Sequence, residues 1–147
     1  MNRLLVDANV LLRLFDREGQ DQMAATASLH WAGRESVTLC YAGQTVGEFV
    51  QVATRSRNGY GWPPARAFDE FERLANRMTW LADPRESFVI LRRLYDEDRV
   101  RGGSNVHDAR LAALALHHEL DGILTFNGRD FARTGLPVVD PRTVAAD

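Results

Sequence analysis

Short apolar runs alternate along this chain with longer stretches in which apolar residues recur at helical spacing. Arg3 to Val6 ends in Leu-Leu-Val and reads as a short strand apolar on both faces. Val37–Tyr41, Met78–Leu81, Gly122–Thr125 and Pro137–Val139 read as further short strands. Between them the spacing predicts helices over Val10–Phe15, Asp21–Trp31, Thr45 to about Arg55, Ala65–Arg77, Arg85 to about Asp98, and from Ser104 or Asn105 to about Glu119. A short helical turn is expected over Asn127–Arg133. The punctuation agrees. Asp7-Ala8-Asn9 reads as a turn, Thr45-x-x-Glu48 matches a capping box, and Asn58-Gly59-Tyr60-Gly61 breaks the chain. Pro63-Pro64 suits the first turn of a helix, and Asp83-Pro84 suits a cap. Short apolar strands alternating with longer helices predict an α/β fold, with a mostly parallel sheet of four to five strands covered on both faces.

Composition narrows the class. The 147 residues fit one domain, 1–147, with a single sizeable core. Hydrophobic residues at 45% and charged residues at 26% describe a soluble globular protein. No apolar run approaches the roughly 20 residues that span a bilayer, and the N-terminus lacks the apolar stretch of a secretory signal. A cytoplasmic protein without membrane contact is therefore expected. Cys40 is the single cysteine, which excludes an internal disulfide and a cysteine-based zinc site and suits a small buried residue. A net charge of −2 excludes a protein that coats nucleic acid non-specifically. All 18 basic residues are arginine. Arg92, Arg93, Arg99 and Arg101 cluster before Gly102-Gly103, and Arg55 and Arg57 precede Asn58-Gly59. Each group reads either as a solvated helix end or as a local phosphate-binding patch.

Four acids stand at the ends of apolar elements. Asp7 ends the first strand, Glu48 lies in the first turn of its helix, Asp108 precedes the Ala/Leu-rich run 111–116, and Asp130 follows the strand Gly122–Thr125. Each has a structural reading. Asp7 suits a helix cap, Glu48 the capping box with Thr45, Asp108 the positive end of a helix, and Asp130 an i+3 pair with Arg133. In a parallel sheet, however, strand ends and helix starts share the rim where ligands bind. Burying a carboxylate costs several kcal/mol unless something pairs with it. The natural partner of converging carboxylates is a divalent cation. Adjacent His117 and His118 are expected to face different directions, which argues against a metal site there. His107 reads as exposed.

The segments Leu5-Val6-Asp7-Ala8-Asn9-Val10-Leu11-Leu12, Val46-Gly47-Glu48-Phe49, His107-Asp108-Ala109-Arg110-Leu111, Leu124-Thr125-Phe126-Asn127-Gly128-Arg129-Asp130-Phe131 and Gly135-Leu136-Pro137-Val138-Val139-Asp140-Pro141 occur in an order and spacing that resembles the PIN-domain ribonucleases. Within them the chain is similar to the VapC-like toxins of toxin–antitoxin pairs. The resemblance implies a three-layer α/β/α domain and a Mg²⁺- or Mn²⁺-dependent endoribonuclease site. Asp7, Glu48 and Asp108 fall on its three core acidic positions and Asp130 on a more variable fourth, for which Asn127 is a second candidate. Asn9, and Thr125 or Asn127, fall on supporting polar positions. Arg110 departs from the pattern, where a less bulky or apolar residue is usual. The implied mechanism is in-line attack of an activated water on an RNA phosphodiester. Asp7 and Asp108 would be direct ligands, Glu48 a ligand or the group that orients the water, and Asp130 part of a second metal position. The implied partners are RNA, a small antitoxin and a second copy of the chain. Two other readings compete: a catalytically silent PIN-fold binding module, and another metal-dependent phosphoesterase. A phosphatase with Asp7 as nucleophile would carry a second aspartate two residues on, where this chain has Asn9. The loop Trp62-Pro63-Pro64 is a candidate RNA or partner contact. Helices Asp21–Trp31 and Ala65–Arg77 carry apolar surface that suits either the sheet or a partner.

Overall fold

In a computed structural model, which describes residues 2–103 and 105–144, five strands form one sheet. They are β1 (Arg3–Val6), β2 (Thr38–Ala42), β3 (Thr79–Leu81), β4 (Gly122–Leu124) and β5 (Val138–Val139). Every pairing is parallel and the order is β3-β2-β1-β4-β5. Helices α1 (Ala8–Arg13) and α2 (Asp21–Arg34) join β1 to β2. Helices α3 (Gly43–Thr54) and α4 (Pro64–Ala75) join β2 to β3, and α5 (Glu86–Asp96) and α6 (Val106–His117) join β3 to β4. A 3₁₀ turn, Gly128–Phe131, lies between β4 and β5, and a short α7 (Pro141–Val144) follows.

Strand side chains alternate between faces, so β1 feeds two cores. Leu4 and Val6 join Val10, Leu11, Phe49 and Phe71 on the face covered by α1–α4. Leu5 joins Cys40, Ile123, Leu94, Leu111 and Ala115 on the face covered by α5 and α6. The result is the three-layer α/β/α arrangement expected of apolar parallel strands. Helix α6 buries Ala109 and Leu111 to Ala115, a run of small residues and leucine that allows close approach to the sheet. At Gly122 an added Cβ would lie 2.6 Å from the carbonyl of Pro137, so glycine is what lets β4 and β5 pair in this register.

The chain leaves β1 for β2 and β3 on one side and returns to β4 on the other. The carboxyl ends of β1 and β4 therefore flank the point where strand order reverses, the usual place for a site in an open α/β sheet.

Several boundaries differ from the sequence reading. Helix α1 starts at Ala8 rather than Val10 and stops at Arg13, because Asp7, still extended, is its N-cap residue. Helix α2 continues past Trp31 to Arg34. Helix α3 starts two residues before Thr45, so Thr45 is at its third position and accepts a hydrogen bond from the Ala42 N–H at 3.1 Å. The capping box of Thr45 with Glu48 is thereby ruled out. Helix α5 is shorter than expected at both ends, and Asp83 accepts the Ser87 hydroxyl at 2.6 Å. Asn105 is the N-cap of α6, accepting from the His107 N–H at 2.9 Å; Ser104, the other candidate, lies outside the described residues. The turn after β4 is a 3₁₀ segment without a side-chain cap from Asn127. The chain break at Asn58-Gly59 is real, with Asn58 in the left-handed region at φ 56°.

In the loop Trp62-Pro63-Pro64 the two prolines are exposed and Trp62 is half-buried. It packs edge-on against Phe15, stacks on Tyr60, and carries the Arg66 guanidinium 4.2 Å above its ring. Cys40 is buried as expected. No helix among the described residues is long and apolar enough to cross a membrane.

Candidate active site

Asp7 follows β1 directly and its backbone continues the sheet, donating its N–H to the Leu124 carbonyl at 3.0 Å. That bond fixes the carboxylate at the strand end, where it is only 6% exposed. The Thr125 hydroxyl donates to Asp7 Oδ2 at 2.8 Å, and the Asn9 amide reaches the same oxygen at 3.4 Å. Asn9 also donates to Thr125 Oγ1 at 3.2 Å and accepts the Phe126 N–H at 3.3 Å. Thr125 is fully buried and further accepts the Asn127 N–H at 3.0 Å. The three polar groups thus form one network that orients Asp7. Asn127 enters it through its backbone, and its side chain is exposed.

Glu48 lies one turn into α3, half-buried. Its Oε1 accepts from Gln44 Nε2 at 2.9 Å, and the same nitrogen donates to the His107 carbonyl at 2.7 Å. Gln44 therefore ties the helix of Glu48 to the first turn of α6, which carries Asp108. Sequence reasoning missed this residue. The signal available was its i, i+4 spacing to Glu48; the bond to the α6 backbone has no sequence signature.

Asp108 is half-buried in the first turn of α6, and Asp130 stands on the 3₁₀ turn after β4. Both line the same cleft, close enough for the Asp130 charge to push the Asp108 carboxyl up. Asp130 makes no ion pair with Arg133, which reaches Asp98 instead. The turn is seated by Gly128, where an added Cβ would meet Val138 Cγ1 of β5 at 2.8 Å. Gly128→Ala is expected to push the turn off β5 and move Asp130, lowering cleavage about tenfold while costing about 1–2 kcal/mol of stability. Cleavage at the wild-type rate in that variant would show that Asp130 needs no fixed position.

The acids lie within electrostatic reach of Asp108. Burial pushes the Asp7 carboxyl up from 3.8 to about 6, against the lowering effect of the Thr125 hydroxyl and with repulsion from Glu48 added. Burial again leads for Asp108, followed by repulsion from Asp130, Asp7 and Glu48, and its carboxyl rises to about 7. Among the described residues none of the four forms a salt bridge, although arginines pair with acids elsewhere on the surface. Arg110 projects away to Asp83 at 3.3 Å and leaves Asp108 undisturbed.

The donor chemistry suits a hard cation: carboxylate oxygens, uncompensated, at a strand end. Among the described residues, however, no group of three or more Asp, Glu, His or Cys side chains stands close enough to enclose an ion. His107 is exposed as expected. His117 and His118 do not point apart: their rings meet edge to face at 4.9 Å, and His118 bonds the Ala82 carbonyl at 2.7 Å. The expectation of separate directions failed because α6 ends at His117, so the pair straddles the helix end.

Gln44→Ala is expected to weaken divalent-cation binding and cleavage about tenfold, with less than about 1.5 kcal/mol lost in stability. Calorimetric Mn²⁺ titration beside a melt checks it. An unchanged Mn²⁺ affinity would reduce Gln44 to a surface strap.

A three-layer parallel α/β fold with converging, uncompensated carboxylates at the switch point defines a class of acid-rimmed site. The model of the PIN domain matches residues 4–136, and the chain belongs to this family. Among curated proteins no relative matches. Solved structures share the fold at low identity. FitAcB from Neisseria gonorrhoeae is 20% identical with a TM-score of 0.69, over 95% of this chain and 98% of that one. A toxin–antitoxin complex from Klebsiella pneumoniae is 22% identical with a TM-score of 0.64, over 94% and 97%. VapC20 from Mycobacterium tuberculosis, a sarcin-ricin loop cleaving toxin, is 14% identical with a TM-score of 0.66, over 91% and 96%.

Proposed function

We propose that this chain is a Mg²⁺- or Mn²⁺-dependent endoribonuclease, the toxin of a toxin–antitoxin pair, which cuts RNA and so inhibits translation. The observation that carries the reading is that Asp7, Glu48, Asp108 and Asp130 stand at strand ends and helix starts of a PIN domain, with no salt bridge to any of them among the described residues. The fold shared with VapC20 and with a toxin–antitoxin complex supports the substrate class and the partner. The cellular form is a cytoplasmic homodimer held silent by a small antitoxin.

Asp7 and Asp108 would hold the ion, and Asp130, in the same cleft as Asp108, would contribute to a second position. When bound, the cation neutralises charge that develops on the phosphate oxygens and makes nearby water a better nucleophile. Thr125 and Asn9 hold Asp7 in one orientation, so its ligand oxygen needs no reorganisation. Glu48 has Oε1 occupied by Gln44, which leaves Oε2 to ligate or to accept a hydrogen bond from the attacking water.

Sequencing of RNA 5′ ends after brief expression tests the reading. The wild type should create new ends that Asp7→Asn does not, and an absence of new ends with the wild type would sink it. The open spacing of the acids also fits a silent PIN-fold binding module. Mn²⁺ titration separates the two, since such a module would show neither binding heat nor a raised Tm.

A further inference from the structure

A second feature adjoins the acids and is not used by them. Asp108 and Asp130 line a cleft of about 230 Å³ whose lining also carries Arg99, Arg101, Arg129 and Arg133. Four arginines against two carboxylates make the cleft net positive, in a chain whose overall charge is −2. The arginines come from three places in the sequence: the loop after α5, the 3₁₀ turn, and the segment behind it. Only folding gathers them.

They divide into two kinds. Arg99 is tied down, with Nε 3.1 Å from Glu97 and Nη1 reaching the Thr134 carbonyl at 3.5 Å. Arg133 is likewise tied, donating to the Asp98 carbonyl at 2.9 Å. Among the described residues Arg101 and Arg129 make no side-chain hydrogen bond or salt bridge, although two carboxylates share their cleft. Arg129 immediately precedes Asp130 on the 3₁₀ turn, so any shift of that acid carries the guanidinium with it.

We propose that Arg101 and Arg129 hold the RNA phosphate next to the one being cut, and thereby set the register of the strand across the acids. This rests on the ribonuclease reading. A planar guanidinium with free donors takes a phosphate in two parallel hydrogen bonds. Successive phosphates of a strand would lie across the cleft, one at the acids with its cation and its neighbour at the arginines.

The test uses the full-length protein and a short fluorescent single-stranded RNA, with anisotropy measured in EDTA at several salt concentrations. The double variant Arg101→Ala/Arg129→Ala should bind about tenfold or more weakly, and its slope of log affinity against log salt should shrink by about 0.7, the value for one lost phosphate contact on a single strand. With a cleavable RNA in Mg²⁺, KM should rise about tenfold while kcat stays within about threefold, the pattern of lost uniform binding. Arg101→Lys/Arg129→Lys should restore the salt slope but only part of the affinity, because lysine keeps the charge without the fork. Arg92→Ala/Arg93→Ala removes the same charge outside the cleft and should leave the slope as it is. An unchanged slope in the cleft variant, or an equal fall in both alanine doubles, overturns the proposal. Wild-type protein that binds RNA through the cleft but never cuts it would defeat the ribonuclease reading alone.

Discussion

Asp7→Asn is expected to cut RNA at least about 10³-fold more slowly than the wild type, a loss of about 4 kcal/mol of transition-state stabilisation. It is also expected to be the more stable protein at pH 8 without metal. The two effects have one cause. Asp7 is nearly inaccessible, and its charged form lacks a cationic side chain to pair with. Holding it ionised above its raised pKa costs the fold about 3 kcal/mol, the difference between a pKa near 6 and the ordinary value of 3.8. Asparagine removes that charge yet keeps an oxygen to accept the Thr125 hydroxyl. It also removes the anionic ligand. Urea melts at pH 8 in EDTA, run beside a cleavage assay in Mg²⁺, check both halves. A variant that cuts at the wild-type rate would remove Asp7 from the site. A variant less stable than wild type would mean the charge is compensated by something other than a metal.

The wild type without metal should lose stability as pH rises from about 4 to about 7, the reverse of ordinary acid denaturation. Asp7 and Asp108 are both raised in the folded state, to about 6 and about 7, from 3.8. Between those values the folded chain retains protons that the unfolded chain has released, so stability falls with pH. The contribution is complete below the unfolded pKa and is lost once pH passes the folded ones. Asp108 is half-buried and solvent screens its charge, so it adds less than Asp7. Mn²⁺ should reverse the fall. Ligand at 100 times its Kd adds about 2.7 kcal/mol, and protons compete with it for the same oxygens, so its affinity should weaken below pH 7. Thermal melts from pH 4 to 8, with EDTA and with Mn²⁺, read the crossing. A flat curve in EDTA would show that the acids do not burden the fold.

Much of this was legible in the sequence, for particular reasons. Leu4-Leu5-Val6 is apolar at every position because a central parallel strand feeds both cores, and Leu5 does face away from its neighbours. The Ala/Leu-rich run 111–116 marked a helix, and Leu111 to Ala115 of α6 are buried. Glu48 was misread locally. Thr45-x-x-Glu48 has the letters of a capping box, but the first turn of α3 begins at Gly43. The sheet end at Ala42 decides that start, and spacing within the helix does not report it. The pairing of Asp130 with Arg133 failed for a similar reason: the 3₁₀ turn ends at Phe131, so no helix carries Asp130 on to Arg133, which reaches Asp98 instead.

By itself the sequence determined the layered α/β fold, the alternation of strands and helices, and the four acidic positions, since periodicity and residue type are local properties. Only the tertiary structure decided that Asp7 is held by Thr125 and Asn9, that Gln44 straps α3 to α6, and that four arginines gather beside Asp108 and Asp130. Those groups are far apart in the chain. Their meeting depends on the strand order of the sheet, and their shifted pKa values depend on burial and on charges that no stretch of sequence contains together.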